Sequence, residues 1–249
     1  MGLLIRDDEY DESRRMVGFR RYKQLLSFHT GHWVKLGMLT FLGGLPLMLG
    51  ITYAILSSSS LVALVAGVLG GIILGPFVAA HIDSLYRAMR DDSGMRWAGY
   101  RKGFRQNWKD SLLPGGLLGL FISTSVWLLY MSIYTDAFPL SHGTLVLLFV
   151  ALGVFLIVSD LFWPQLVLFR QPLLQTIRNI LLFTSKYLWM MGKICLLQIL
   201  FLAFHLVFAP YTLVFLPFFS IWYFLFFSQF LLYDALNEEL QIEEKYKTP

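Results

Sequence analysis

Long apolar runs alternate along the chain with short polar connections. Six runs stand out, at residues 35–56, 61–82, 111–134, 143–169, 188–209 and 212–233. A helix needs about 20 residues to cross a hydrocarbon core of about 30 Å, so each run predicts one transmembrane helix. The expected fold is an all-α membrane protein: a bundle of about six transmembrane helices with amphipathic interfacial helices on the cytoplasmic side. Residues 1–33 form an N-terminal cytoplasmic or interfacial segment, 34–233 the transmembrane domain with a cytoplasmic connection at 83–110, and 234–249 a cytoplasmic tail.

Two connections carry a helical rather than a spanning pattern. Met16, Phe19, Tyr22, Leu26 and Phe28 recur at roughly helical spacing among cations, the pattern of a helix lying flat in the headgroup region. Trp97, Tyr100, Phe104 and Trp108 fall at i, i+3, i+7 and i+11, flanked by Arg96, Arg101, Lys102, Arg105 and Lys109. Aromatic rings and basic side chains both favour the membrane interface. The plain reading is anchoring in the bilayer; the sharper one is a site for anionic lipid headgroups or a protein partner.

Charge placement sets the orientation. Lys and Arg cluster in the N-terminal segment, after the second run (Arg87 to Lys109), after the fourth (Arg170, Arg178, Lys186) and at the C-terminal end, whereas Ser57 to Ser60, Thr135 to His142 and the turn near Pro210 contain none. Basic residues stay on the cytoplasmic side, so both termini are expected there, and no cleavable leader is expected before the first run. With 57% hydrophobic and only 14% charged residues, the chain exceeds what a soluble core absorbs. The formal charge of +4 is this positive-inside bias and gives no argument for nucleic acid. The single cysteine, Cys195 in the fifth run, excludes an intramolecular disulfide and any cysteine cluster.

Within the runs, Ala63, Gly67, Gly71 and Gly75 make a small-residue ladder at four-residue spacing. Such a face lets a second helix approach to backbone contact, either inside the bundle or on a membrane partner or second copy. Pro46, Pro76, Pro114, Pro164 and Pro217 predict bends. Asp160 and Lys193 have comparable estimated depths on consecutive antiparallel helices, and charge at such depth is costly unless partnered. An ion pair, a cavity-facing site and snorkelling of Lys193 to the interface all fit the spacing. Gln198 and His205 on one face of the fifth run, with Gln229 in the sixth, extend a polar track.

Enzymatic patterns are lacking. The chain has no phosphate-cradling glycine loop, no His-Glu-x-x-His pair and no Gly-x-Ser-x-Gly elbow. His29 with His32 has no further metal ligand nearby in sequence, and Asp83 with Arg87 is an i, i+4 ion pair that stabilises a helix end. No cofactor or metal is expected.

The run Gly75-Pro76-Phe77-Val78-Ala79-Ala80, continuing through Tyr86-Arg87-Ala88-Met89-Arg90-Asp91 to Tyr100, Phe104 and Asn107-Trp108-Lys109, resembles the YesL-like family of bacterial polytopic membrane proteins of unknown function. The later stretch Leu168-Phe169-Arg170, Leu174 to Asn179 and Leu181-Leu182 resembles that family's second cytoplasmic connection. The N-terminal extension of about thirty residues is longer than the family pattern. The resemblance implies a bacterial plasma-membrane protein, non-enzymatic and accessory to carbohydrate-related transport or envelope metabolism, and it transfers no catalytic residue. The alternative from the residues alone is a small transporter or lipid-binding protein with a cytoplasm-facing cavity near Asp160 and Lys193.

Overall fold

The computed structural model describes residues 16–91, 97–135, 141–169 and 171–247, and all regular structure among them is helical. Six helices are long and apolar enough to cross a membrane, within Thr30–Leu56, Ser60–Met89, Leu112–Tyr134, His142–Phe169, Leu188–His205 and Leu216–Leu240. The acidic stretch near the N-terminus, Arg96, Arg170, Thr248 and the side chains of Phe28 and His29 lie outside the described residues. The elements are α1 (Gly18–Leu56), α2 (Ser60–Met89), α3 (Trp97–Asn107), α4 (Leu112–Tyr134), α5 (His142–Phe169), α6 (Leu173–Lys186), α7 (Leu188–Val207), the single turn α8 (Ala209–Thr212), α9 (Ile221–Leu240) and α10 (Ile242–Lys247). All the Lys- and Arg-rich connections fall at one end of the bundle, here the basic end.

The expected flat N-terminal helix is instead the first turns of α1. This helix runs unbroken for 39 residues, about 58 Å at about 1.5 Å per residue, far beyond the ~30 Å hydrocarbon core. Of the residues read as an interfacial face, Met16 and Phe19 are exposed, whereas Tyr22 is drawn inward by rings on α9, as is Trp33 further along. Tyr22 meets Phe226 at 5.4 Å and Phe230 at 5.2 Å between ring centroids, and Trp33 meets Phe226 at 5.3 Å. Arg21 is buried, donates to the Met89 carbonyl at 3.3 Å and pairs with Asp91, tying α1 to the end of α2.

Helix α2 is the axis of the molecule. Every residue from Val78 to Tyr86 is buried, which requires neighbours on all sides, and α1, α3, α4, α5 and α9 supply them. Towards the other end only a strip of α2 stays buried, mostly Ala63, Gly67, Gly70 and Gly71. Helix α5 repeats the gradient: Val146, Leu147, Phe149, Val150 and Val154 are exposed, whereas Asp160, Leu161, Trp163, Pro164, Gln165, Val167 and Leu168 are buried. The bundle is dense at the basic end and open towards the other. At that end a small second core of Ala54, Ala63, Trp127 and Met131 joins α1, α2 and α4, and the Trp127 indole N–H donates to the Ala54 carbonyl at 3.3 Å.

Most of the five prolines lie within helices. α1, α2 and α5 continue through Pro46, Pro76 and Pro164, and Pro114 sits in the first turn of α4, where a missing N–H costs nothing. Pro217 lies in irregular backbone, a π-type turn before α9.

Two tyrosines at the basic end, outside the spanning segments, set a pH response. Burial first, and then the bond its hydroxyl donates to Tyr223 at 3.0 Å, push Tyr22 above its ordinary value of 10.0; burial alone does the same to Tyr100. Both favour the protonated phenol in the folded state. Their contribution is complete below about pH 10, the unfolded value, and is lost as pH rises past it. Thermal melting against pH is expected to show this alkaline loss, and Tyr22→Phe with Tyr100→Phe to flatten it; an unchanged alkaline limb in the double variant would refute the assignment.

Candidate functional site

The small-residue ladder on α2 faces α4, not a partner. Ala63, Gly67, Gly71 and Gly75 are all buried, and they meet Gly119 and Gly115 of α4 and Ser111 just before it. A Cβ on Gly71 would lie 2.8 Å from the Gly119 Cα and still closer to the Gly115 carbonyl oxygen. Ser123 of α4 donates to the Ala63 carbonyl at 2.7 Å. Glycines on both helices allow this approach, as expected where packing and not hydrophobicity drives association. The expectation that the ladder binds another membrane protein or copy is therefore corrected: its face is occupied within the chain.

At mid-bundle, four helices contribute to one polar cluster. Asp160 of α5 accepts from the Gln198 amide of α7 at 2.8 Å, while the Gln229 amide of α9 donates to the Asp160 carbonyl at 3.2 Å and to its carboxylate at 3.4 Å. Tyr86 of α2 donates to the Gln229 carbonyl oxygen at 2.9 Å. All four are buried, and the Gln198 oxygen has no hydrogen-bond partner. Sequence reading named Asp160, Gln198 and Gln229 but missed Tyr86, which looks like one more interfacial aromatic until α9 is placed beside it. A second polar layer pins α6 beneath α5, with Asn179 donating to Gln165 at 3.2 Å and to Gln171 at 2.8 Å.

Lys193 and His205 do not join this cluster. On α7, Met191, Ile194, Cys195 and Gln198 face inward, and Lys193 lies with Trp189, Leu196 and Leu200 on the exposed side. Among the described residues Asp160 and Lys193 form no ion pair. His205 lies near the open end, with Nε2 2.6 Å from the Ser220 hydroxyl and Nδ1 2.9 Å from the Phe201 carbonyl. The polar track ends at Gln198. Lys193→Met is accordingly expected to leave melting temperature unchanged and to combine additively with Asp160→Asn; rescue of one replacement by the other would restore the ion-pair reading.

The aromatic and basic set on α3 divides in two. Tyr100 is buried, Phe104 packs edge-on against Phe77 at 5.2 Å, and Gly103 sits against the Asp83 carboxylate, which also accepts from Arg87 at 2.8 Å. Tyr100 and Phe104 thus bind α3 to α2 and do not anchor it in lipid. Trp97, Arg101, Lys102, Arg105 and Trp108 remain exposed as an outer rim. Helix α6 adds an interfacial surface that the sequence reading did not single out. Leu173, Leu174, Ile177, Leu181 and Leu182 are exposed beside Arg178, while Thr176, Ile180 and Phe183 face the bundle. The apolar spacing of three and four residues, Leu174 to Ile177 to Leu181, was the available signal.

Two clefts open at the basic end. One of about 310 Å³ is lined by residues including Arg21, Leu25, Tyr233 and Glu243, and the other by residues of the first turns of α1; neither is lined by Asp160, Gln198 or Lys193. No family model, curated protein or solved structure matches this chain.

Proposed function

We propose that the chain is a non-enzymatic, multi-pass protein of the bacterial plasma membrane, with both termini in the cytoplasm, that acts by contact as an accessory to carbohydrate-related transport or envelope metabolism. The observation that carries the contact reading is the mutual pairing of Asp160, Gln198, Gln229 and Tyr86 in a packed interior, together with the closed glycine faces. The buried Asp160 carboxylate is thus bonded to side chains of this chain, and Gln229 and Tyr86 are bonded to each other. The transport association rests on the resemblance to the YesL-like family, and the orientation on the basic connections.

The exposed Trp97, Arg101, Lys102, Arg105, Trp108 and Arg178, beside the exposed leucines of α6, supply a cationic and amphipathic rim. Such a rim favours anionic headgroups. The transport role is tested by deleting the gene and measuring carbohydrate uptake, with the tagged protein purified in mild detergent. Reduced uptake and stoichiometric recovery of a membrane subunit of a carbohydrate transporter are expected. Unchanged uptake, or solute movement through the purified protein alone in vesicles, would overturn it.

A further inference from the structure

Asp160 is buried among helices without a cation to answer it. Among the described residues its carboxylate forms no ion pair, and its side-chain partners are the amides of Gln198 and Gln229 and the buried Ser228 hydroxyl of α9. The titratable groups that face this region are Tyr86 of α2, spent on Gln229; Tyr233 of α9, whose ring lies 5.8 Å from that of Tyr86; and Cys195 of α7, whose thiol points to the Gly153 carbonyl at 3.7 Å. Arg90 of α2 acts on Tyr86. On the other elements packed against α5, Arg178 of α6 and Arg101, Lys102 and Arg105 of α3 are exposed. None of these neutralises the carboxylate directly.

Gln198 is suited to two states of its partner. A carboxamide turned by half a revolution presents C=O where N–H stood. In one orientation Gln198 donates to a carboxylate oxygen at 2.8 Å; in the other its oxygen, which now has no partner, accepts the O–H of a carboxylic acid at the same place. Gln229 lacks that freedom, because Tyr86 holds its oxygen while its nitrogen binds the Asp160 carbonyl.

We propose that Asp160 is a binding site for one exchangeable proton inside the bundle, with Gln198 turning to match the protonation state and the Gln229 and Tyr86 pair holding the carboxyl in place. The proton comes from bulk water and forms an O–H bond on the Asp160 carboxylate, which becomes neutral. On release the same bond breaks and the proton returns to water. No other bond changes.

Infrared difference spectra of the purified protein in lipid nanodiscs, stepped between mildly alkaline and mildly acidic buffer, read this directly. A carboxylic-acid C=O band that rises reversibly on acidification and is missing in Asp160→Asn is expected. If that variant does not fold, Gln198→Leu in the otherwise native chain must shift the band, because the O–H would lose its acceptor. The absence of any band that responds to either replacement would overturn the proposal. The measurement needs no partner and no transport system, so its outcome is independent of the accessory role.

Discussion

Gly71→Leu is expected to abolish the folded bundle or lower its stability by about 3 kcal/mol or more. Overpacking usually costs about 1–3 kcal/mol when side chains yield, but the atoms opposing Gly71 are the backbone of Gly115 and Gly119, which yield only if α4 moves away from α2. That movement would also open the contacts at Gly67 and Gly75. Gly192→Leu is the control, since an added Cβ there meets nothing within 4 Å. Thermal melting and size-exclusion profiles in detergent decide the matter, and equal behaviour of the two variants would remove the α2–α4 contact as the cause.

Phe226→Ala is expected to cost about 3 kcal/mol, the lower end of the range for a buried Phe. The ring is fully buried among Tyr22, Trp33, Trp222 and Phe230. Its removal forfeits dispersion contacts that neither lipid nor a neighbouring side chain replaces. The value falls low because helices separated within a bilayer keep an apolar environment, so little transfer energy is lost. Phe149→Ala, on the exposed half of α5, should change melting little. Similar losses at Phe149 and Phe226 would contradict the placement of Phe226 in the core and of Phe149 outside it.

Spans were legible because crossing lipid demands length and apolarity together, and both show in sequence. Their basic ends were not. The sixth apolar run stops at residue 233, yet α9 continues to Leu240, and the second stops at 82 while α2 continues to Met89 with Leu85, Tyr86 and Met89 buried. Hydropathy reports contact with lipid; here other helices replace lipid and charge returns to the sequence without ending the helix. The polar cluster was half legible for a similar reason. Depth along a helix follows from counting residues, which put Asp160 and Lys193 at one level. Azimuth also follows from counting: Lys193 and Gln198 differ by five residues, about 140° at about 100° per residue, so both cannot face Asp160. Tyr86 and the inward turn of Tyr100 depended on where α9 and α2 lie, which no local pattern encodes.

The burial of α2 on every side near the basic end bears on biogenesis. A chain synthesised from its N-terminus delivers α1, α2 and α4 to the membrane first, and these three already share the closest contacts in the molecule. The half of α2 around Tyr86 must wait for α5 and then α9, the last spanning helix, before its hydroxyl finds Gln229. Until then the nascent protein holds a tight three-helix unit with an unfinished flank. A ribosome stalled after Tyr134 should release a species that is inserted and compact in the α2–α4 region, yet open to protease and to membrane chaperones at the end where the finished protein is most closely packed.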